Sequence, residues 1–420
     1  MMKMSMRQLM LIICLLFLTL GINAAQVFSW PDCIELAEKH NPDLVLAQEK
    51  IVQAQENFKI LDSTKAFQVS SSVTARRAGS STNSGADNYS VSVSGQKLIY
   101  DGLKTQYNLE ASAKRYKASQ LSYRSTEAVV RFRLRTAFIN LWKEQKLREI
   151  AKEISERRQK NLELVELRYK AGREHKGAVL TAQANLARAE YEVVVARRNL
   201  WLLQKKLADI MGKDDIVITM VKENFEIRKI KEEKGNFKEL VNRNADVQEL
   251  VFKREAAEQD VKAAEANYGP RINANTSLGR SYADASASNS WSVGLSGSLS
   301  LYDGDSKKAS LDKTKSVLNQ VLIEEKKAKE SVFYTLMETW VKLNNRLDQL
   351  EVQGKYLRAT KERAKIADAQ YSTGLLTFDN WTIIEDDLAQ AKKVYLEVKA
   401  NVWLAKAAFI QAKGGILDEG

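Results

Sequence analysis

The 420-residue chain contains three prolines, two cysteines and two histidines, and each scarcity excludes something. With only Pro31, Pro42 and Pro270 to interrupt it, the chain can run as very long helices. His40 and His175 have no metal-ligand spacing, and Cys33 has no paired base. No glycine-rich phosphate loop or nucleophile elbow is present. An enzyme, a cofactor and a bound metal are therefore not expected. Beyond the N-terminus no stretch reaches about 18 apolar residues, which excludes a helical membrane span.

Residues 1–25 read as a secretory signal peptide. Lys3 and Arg7 begin it, Leu9 to Leu20 form its apolar core, and Ala24-Ala25 supply a small-residue cleavage region. The apolar run is short for an N-terminal anchor, and no stop-transfer pattern follows. Cys14 leaves with the signal, so the mature chain has one cysteine and no internal disulfide. Neither cysteine follows the small-residue run of a bacterial lipoprotein. Removing two of the 65 Lys plus Arg leaves 63 against 53 acids, a net of +10. These charges are spread along helices as solvated flanks, so nucleic acid is not an expected partner.

What is present is a duplication. From Ala182 to Ile210 a seven-residue beat places Ala182, Leu186, Ala189, Val193, Ala196, Leu200, Leu203, Leu207 and Ile210 on one stripe, a coiled-coil seam. Adding 202 gives Ile384, Leu388, Ala391, Tyr395, Val398, Val402, Ala405, Phe409 and Ala412. The same shift maps Tyr100-Asp101-Gly102 onto Tyr302-Asp303-Gly304, Tyr169 and Gly172 onto Tyr371 and Gly374, and Trp201 onto Trp403. These features owe nothing to heptads. The chain is a tandem repeat.

Each copy follows one plan. The first, 26–212, has a helix, a β-hairpin at about 67–100, a long helix at 103–171 and a returning helix at 173–212. Asn41 is an N-cap and Pro42 a first helical residue. A charged segment, 213–236, holds a short strand within Ile216–Val221 and is expected to pack as an equatorial band. The second copy, 237–420, repeats the plan with a hairpin at about 270–302, a long helix at 305–373, a returning helix at 375–412 and a short tail.

In the hairpins the period changes to two. Val69, Val73, Val91, Val93 and, most cleanly, Trp291, Val293 and Leu295 alternate with serines. Strands of ten to twelve residues are expected, with Gly79 to Asn88 as a polar loop. Apolar residues on one face and small polar residues on the other form the pattern of a membrane strand. A soluble sheet more usually coats its open face with Lys and Glu. Phe67, Tyr89, Tyr282 and Trp291 stand near strand ends, as interfacial aromatics do. Four strands cannot close a barrel, so oligomerisation follows from the strand count. Between Gly102 and Gly172 lie 69 residues without glycine or proline, enough for roughly 100 Å of helix.

Asn41-Pro42, the two Tyr-Asp-Gly exits, and the Arg168-Tyr169-Lys170-Ala171-Gly172 and Gln370-Tyr371-Ser372-Thr373-Gly374 turns, in this order and spacing, resemble TolC-like outer-membrane efflux or type I secretion channels. The resemblance covers essentially the whole mature chain. It implies a homotrimer in the outer membrane of a Gram-negative bacterium, with a shared transmembrane β-barrel continued by a long α-helical barrel across the periplasm. It further implies docking to a periplasmic adaptor and an inner-membrane efflux transporter or ABC exporter, passing drugs, small molecules or proteins. Arg168, Tyr169, Gly172, Tyr371, Gly374 and Leu375 become the tip and docking candidates. Where the family carries an Asp six residues after the turn glycine, this chain has Ala178 and Asn380. Asp379, Asn380 and Asp386 are thus candidates for an entrance constriction, with Glu385 and Asp387 beside Asp386; solvated tip charges are the alternative. The competing functional reading is an exported periplasmic coiled-coil scaffold or a membrane-fusion adaptor.

Overall fold

The computed structural model of the chain describes residues 26–80, 83–213, 216–223, 236–283 and 286–414. The expected signal peptide therefore lies outside the described residues, as do much of the charged connecting segment and the end of the tail. In chain order the elements are β1 (Gln26–Phe28), α1 (Trp30–His40), α2 (Pro42–Ser63), β2 (Gln68–Ser80), β3 (Asn83–Tyr100), α3 (Lys104–Lys170) and α4 (Lys176–Ile210). They continue with β4 (Ile218–Val221), α5 (Phe237–Arg243), α6 (Ala245–Ala266), β5 (Arg271–Ala283), β6 (Ser286–Ser298), α7 (Ser306–Thr373) and α8 (Phe378–Ala412). The chain divides into two compact units. One takes in the chain to Val45, Ala128–Gly235 and Leu336 onward; the other comprises Leu46–Glu127 and Asn236–Thr335.

The first unit is held by heptad stripes. None of the eighteen seam positions on α4 and α8 is exposed, and on α4 buried Ala182, Ala189, Ala196, Leu200 and Leu207 interleave with half-buried neighbours. A core around Leu134, Phe138, Leu141, Leu207 and Met211 also takes in buried Cys33. Burial pushes the Cys33 thiol up to about 12. The connecting segment joins this core through β4, which pairs in parallel with β1. Glu223, just past β4, makes a two-pronged pair with Arg135 at 2.6 Å for both bonds. Asn41 caps α2: its Oδ1 accepts from the Asp43 and Leu44 amides at 3.0 and 3.2 Å, while Nδ2 donates to the Ile210 carbonyl at 2.8 Å.

The second unit contains one four-stranded antiparallel sheet in the order β2-β3-β5-β6. The polar run expected as a loop is mostly strand. Arg76 pairs with Asn88, Arg77 with Asp87 and Ala78 with Ala86, so β2 reaches 13 residues and β3 reaches 18. Ladder bonds are made by backbone groups, so a loss of apolar alternation does not end a strand. It also follows that Tyr89 and Trp291 stand several residues inside their strands. Gly95 permits a close approach, because a Cβ there would lie 2.2 Å from Cζ of Phe67. The Tyr-Asp-Gly motifs start the long helices. Asp101 Oδ2 accepts from the Thr105 amide at 3.0 Å, and Asp303 Oδ2 from that of Lys307 at 3.1 Å.

Candidate functional site

Two helix reversals in the first unit gather the tip candidates. Gly172 and Gly374 take φ of +69° and +85°, the left-handed conformation that costs glycine least. At Gly172 no atom would meet a Cβ within 4 Å, so backbone conformation alone asks for glycine there. The amides that follow close each helix: Arg173 donates to the Arg168 carbonyl and Leu375 to that of Gln370, both at 2.8 Å. The His175 side chain caps α4 through Nδ1, which accepts from the Ala178 amide at 3.1 Å.

The strongest contact between candidates joins Arg168 to Tyr371. Arg168 Nη1 donates to the Tyr371 carbonyl at 2.8 Å, and its guanidinium lies 4.7 Å from the ring centroid. Tyr371 is fully buried and stacks on Trp381 at 4.2 Å, with ring planes 11° apart. Its hydroxyl donates to Glu174 Oε2 at 3.0 Å. Burial first, then the neighbouring Glu174 carboxylate, raises the Tyr371 phenol well above its ordinary range. Trp381 in turn donates through Nε1 to Asp368 Oδ1 at 2.8 Å.

Asp368 leads to an ion cluster. Arg157 reaches Asp368 Oδ2 and Glu385 Oε1, each at 2.6 Å, and Asn161 Nδ2 donates to Glu385 at 3.2 Å. Glu385 is buried, and its hydrogen bonds hold the Arg157 guanidinium above its ordinary value. Asp386 pairs with Arg158, and Asp387 with Arg363 at 3.2 Å. The constriction candidates therefore divide. Asp386 is already engaged, whereas Asp379 and Asn380 are exposed on the first turn of α8. Among the described residues the side chains of these two make no hydrogen bond or ion pair. Tyr169 is also exposed, at 44%, and Leu375 more so, at 80%.

Sequence reasoning missed Arg157, Asp368 and Trp381. Adjacent Arg157-Arg158 meet adjacent Glu385-Asp386, each pair 228 residues apart, an offset that only the packed helices reveal. Among the described residues no cluster suits a metal ion, and no helix is long and apolar enough to cross a membrane.

Comparison with known proteins gives a consistent answer. The family model "Outer membrane efflux protein" matches residues 33–213 and again 237–415, one match per copy. Among solved structures, CusC, described by its transmembrane channel formation, aligns with a TM-score of 0.84 at 16% identity over 92% of both chains. The outer membrane protein VceC of Vibrio cholerae aligns at 0.79 and 18%, over 92% of this chain and 96% of its own. The CmeC outer membrane channel of Campylobacter jejuni aligns at 0.81 and 18%, over 92% and 85%. No curated protein matches. The structural likenesses establish a shared fold.

Proposed function

The chain belongs to the outer membrane efflux protein family, and from that premise we propose that three copies close one barrel in the outer membrane and export solutes from the periplasm. The observation that carries this reading is the four-stranded sheet whose edges, β2 and β6, have no partner strand within the described residues. In hydrocarbon such edges leave backbone groups unpaired at several kcal/mol each, and further strands from other copies remove that cost. The two faces fit a membrane channel. Val73, Leu278, Trp291, Val293 and Leu295 expose apolar surface on one. On the other, serines join across strands, Ser70 to Ser94 at 2.9 Å and Ser72 to Ser92 and Ser277 to Ser292 at 2.8 Å. A lumen lined this way offers water and no strong binding site, so drugs, small molecules or proteins pass without being trapped.

Entry is controlled at the helix reversals. Exposed Tyr169 and Leu375 give a periplasmic adaptor apolar points of attachment, and the adaptor links the channel to an inner-membrane transporter. Asp379, repeated three times around the axis, forms a like-charged ring that repels itself and attracts cations. Native mass spectrometry of the protein extracted from outer membranes should give three mature chains, and planar bilayers should show single-channel conductance. A monomer or dimer that needs no detergent would overturn the channel. Asp379→Ala should raise basal leak; unchanged conductance and unchanged drug leakage would remove Asp379 from the gate.

A further inference from the structure

The apolar face of the sheet carries an arginine. The ladder sets Arg280 between Val91 on β3 and Asn289 on β6, one row from the pair Tyr89–Tyr282. Side chains alternate along a strand, so Arg280 shares a face with Leu278 and Tyr282. Its guanidinium, 5.1 Å from the Tyr282 ring centroid, agrees. Arg280 is exposed and, among the described residues, its side chain makes no hydrogen bond or ion pair. The acid nearest in the ladder on this face, Asp87, is engaged by Arg77 at 3.7 Å, one row beyond the tyrosines.

The dimensions of this face give the arginine a meaning. On β3 it runs Tyr89, Val91, Val93, Gly95, Lys97, Ile99. The ten steps from Tyr89 to Ile99 at about 3.3 Å each span roughly 33 Å of strand, or about 25 Å of depth at the tilt of a barrel strand, which is the height of a lipid-facing apolar band. The Arg280 row is two residues inside the Tyr89 end, and Lys97 is two residues inside the Ile99 end. Long cationic side chains at those depths snorkel to the two headgroup layers.

We propose, on the barrel reading above, that Arg280, steadied by Tyr282, binds the phosphate of a lipid headgroup and so fixes how deeply the sheet sits. The ring contact uses none of the guanidinium's hydrogen-bond donors in the described residues, so its N–H groups remain to be satisfied. That planar fork matches two phosphate oxygens, which an ammonium group does not. A zwitterionic headgroup offers the same phosphate with a neutralising ammonium beside it, so anionic lipids are preferred.

The test mixes the detergent-purified full chain with equal amounts of phosphatidic acid and phosphatidylcholine of identical acyl chains and reads lipid retention by native mass spectrometry. The wild type should retain phosphatidic acid preferentially, and Arg280→Gln should cut that preference about fivefold, the worth of one interfacial arginine. Arg280→Lys should keep part of it. Unchanged preference in Arg280→Gln, or none in the wild type, overturns the site. Displacement of the lipid by millimolar inorganic phosphate also overturns it, since the site would then bind a free anion. Oligomer mass and conductance are read on the same samples. A wild type that is monomeric or silent counts against the channel, and the Arg280-dependent preference is scored on that particle regardless.

Discussion

The two helix reversals share a backbone and differ in everything hung on it. Gly172 and Gly374 have the same sign of φ, and both turns are followed by 35-residue helices. Yet Tyr169 is 44% exposed while its counterpart Tyr371 is fully buried. Around Tyr371 stand Trp381, Asp368 and Arg168; the corresponding residues of the first copy are Val179, Glu166 and, in the opposite direction, Gln370. Arg157 and Glu385 correspond to Ala359 and Gln183. Duplication kept the devices that reverse a helix and let the side chains diverge. One turn became an aromatic and ionic lock, and the other stayed open. On the proposed channel reading, this asymmetry supplies an entrance with both held and accessible helices within one chain.

The largest test of that contrast is at the aromatic stack. Trp381→Ala removes a buried ring together with its bond to Asp368, and should cost about 4 kcal/mol. Val179→Ala, at the matching half-buried position, should cost about 1 kcal/mol. Melting both variants in detergent checks the ratio; equal losses would mean that the two turns are energetically alike.

Next comes the ion cluster. Arg157→Ala leaves Glu385 buried with only Asn161 as a partner, and an uncompensated buried charge costs about 3 kcal/mol. Replacing both residues, Arg157→Ala with Glu385→Leu, should recover most of the loss, because the charge goes with its partner. The duplicated positions, Ala359 in the second copy and Gln183 in the first, are already uncharged. A double variant as unstable as the single one would show that the arginine acts through packing alone.

A smaller effect separates the tyrosines. Tyr371→Phe loses the bond to Glu174 and should cost about 1 kcal/mol, while Tyr169→Phe, for which no such bond is seen, should leave the melting temperature unchanged. Loss of adaptor binding in Tyr169→Phe with unaltered melting would instead mark the open turn as the docking surface.

The contrast also shows what the sequence could and could not reveal. Period, turn glycines and caps are local, so the repeat, the seams on α4 and α8, the Asn41 cap and both reversals could be read from residues close together. The lock could not. Arg168 and Tyr371 are 203 residues apart and Arg157 and Glu385 are 228 apart, and a heptad stripe does not say which helix it faces. Glu385 looked like one of three solvated acids; packing buried it and turned it toward Arg157. The strand ends failed for a different reason, since polar residues such as Ser80, Asn83, Asp87 and Asn88 pair through their backbones.

The smallest contrast is between the long helices. Glu144 on α3 is buried, one of its oxygens has no hydrogen-bond partner, and its counterpart on α7 is exposed Arg346. Burial raises the Glu144 pKa, and a hydrogen bond with Asn199 only partly offsets it. Between the unfolded value near 4.5 and the raised folded value, the native state holds a proton that the unfolded chain has released. Linkage then makes stability fall as pH rises through that window, with the whole penalty present above it. Glu144→Gln should therefore melt higher than wild type at neutral pH, and the difference should shrink to nothing below the unfolded pKa. Arg346→Gln, exposed at the matching position, should shift melting equally little at every pH. A Glu144→Gln gain that persists in acid would trace the effect to packing and not to a proton.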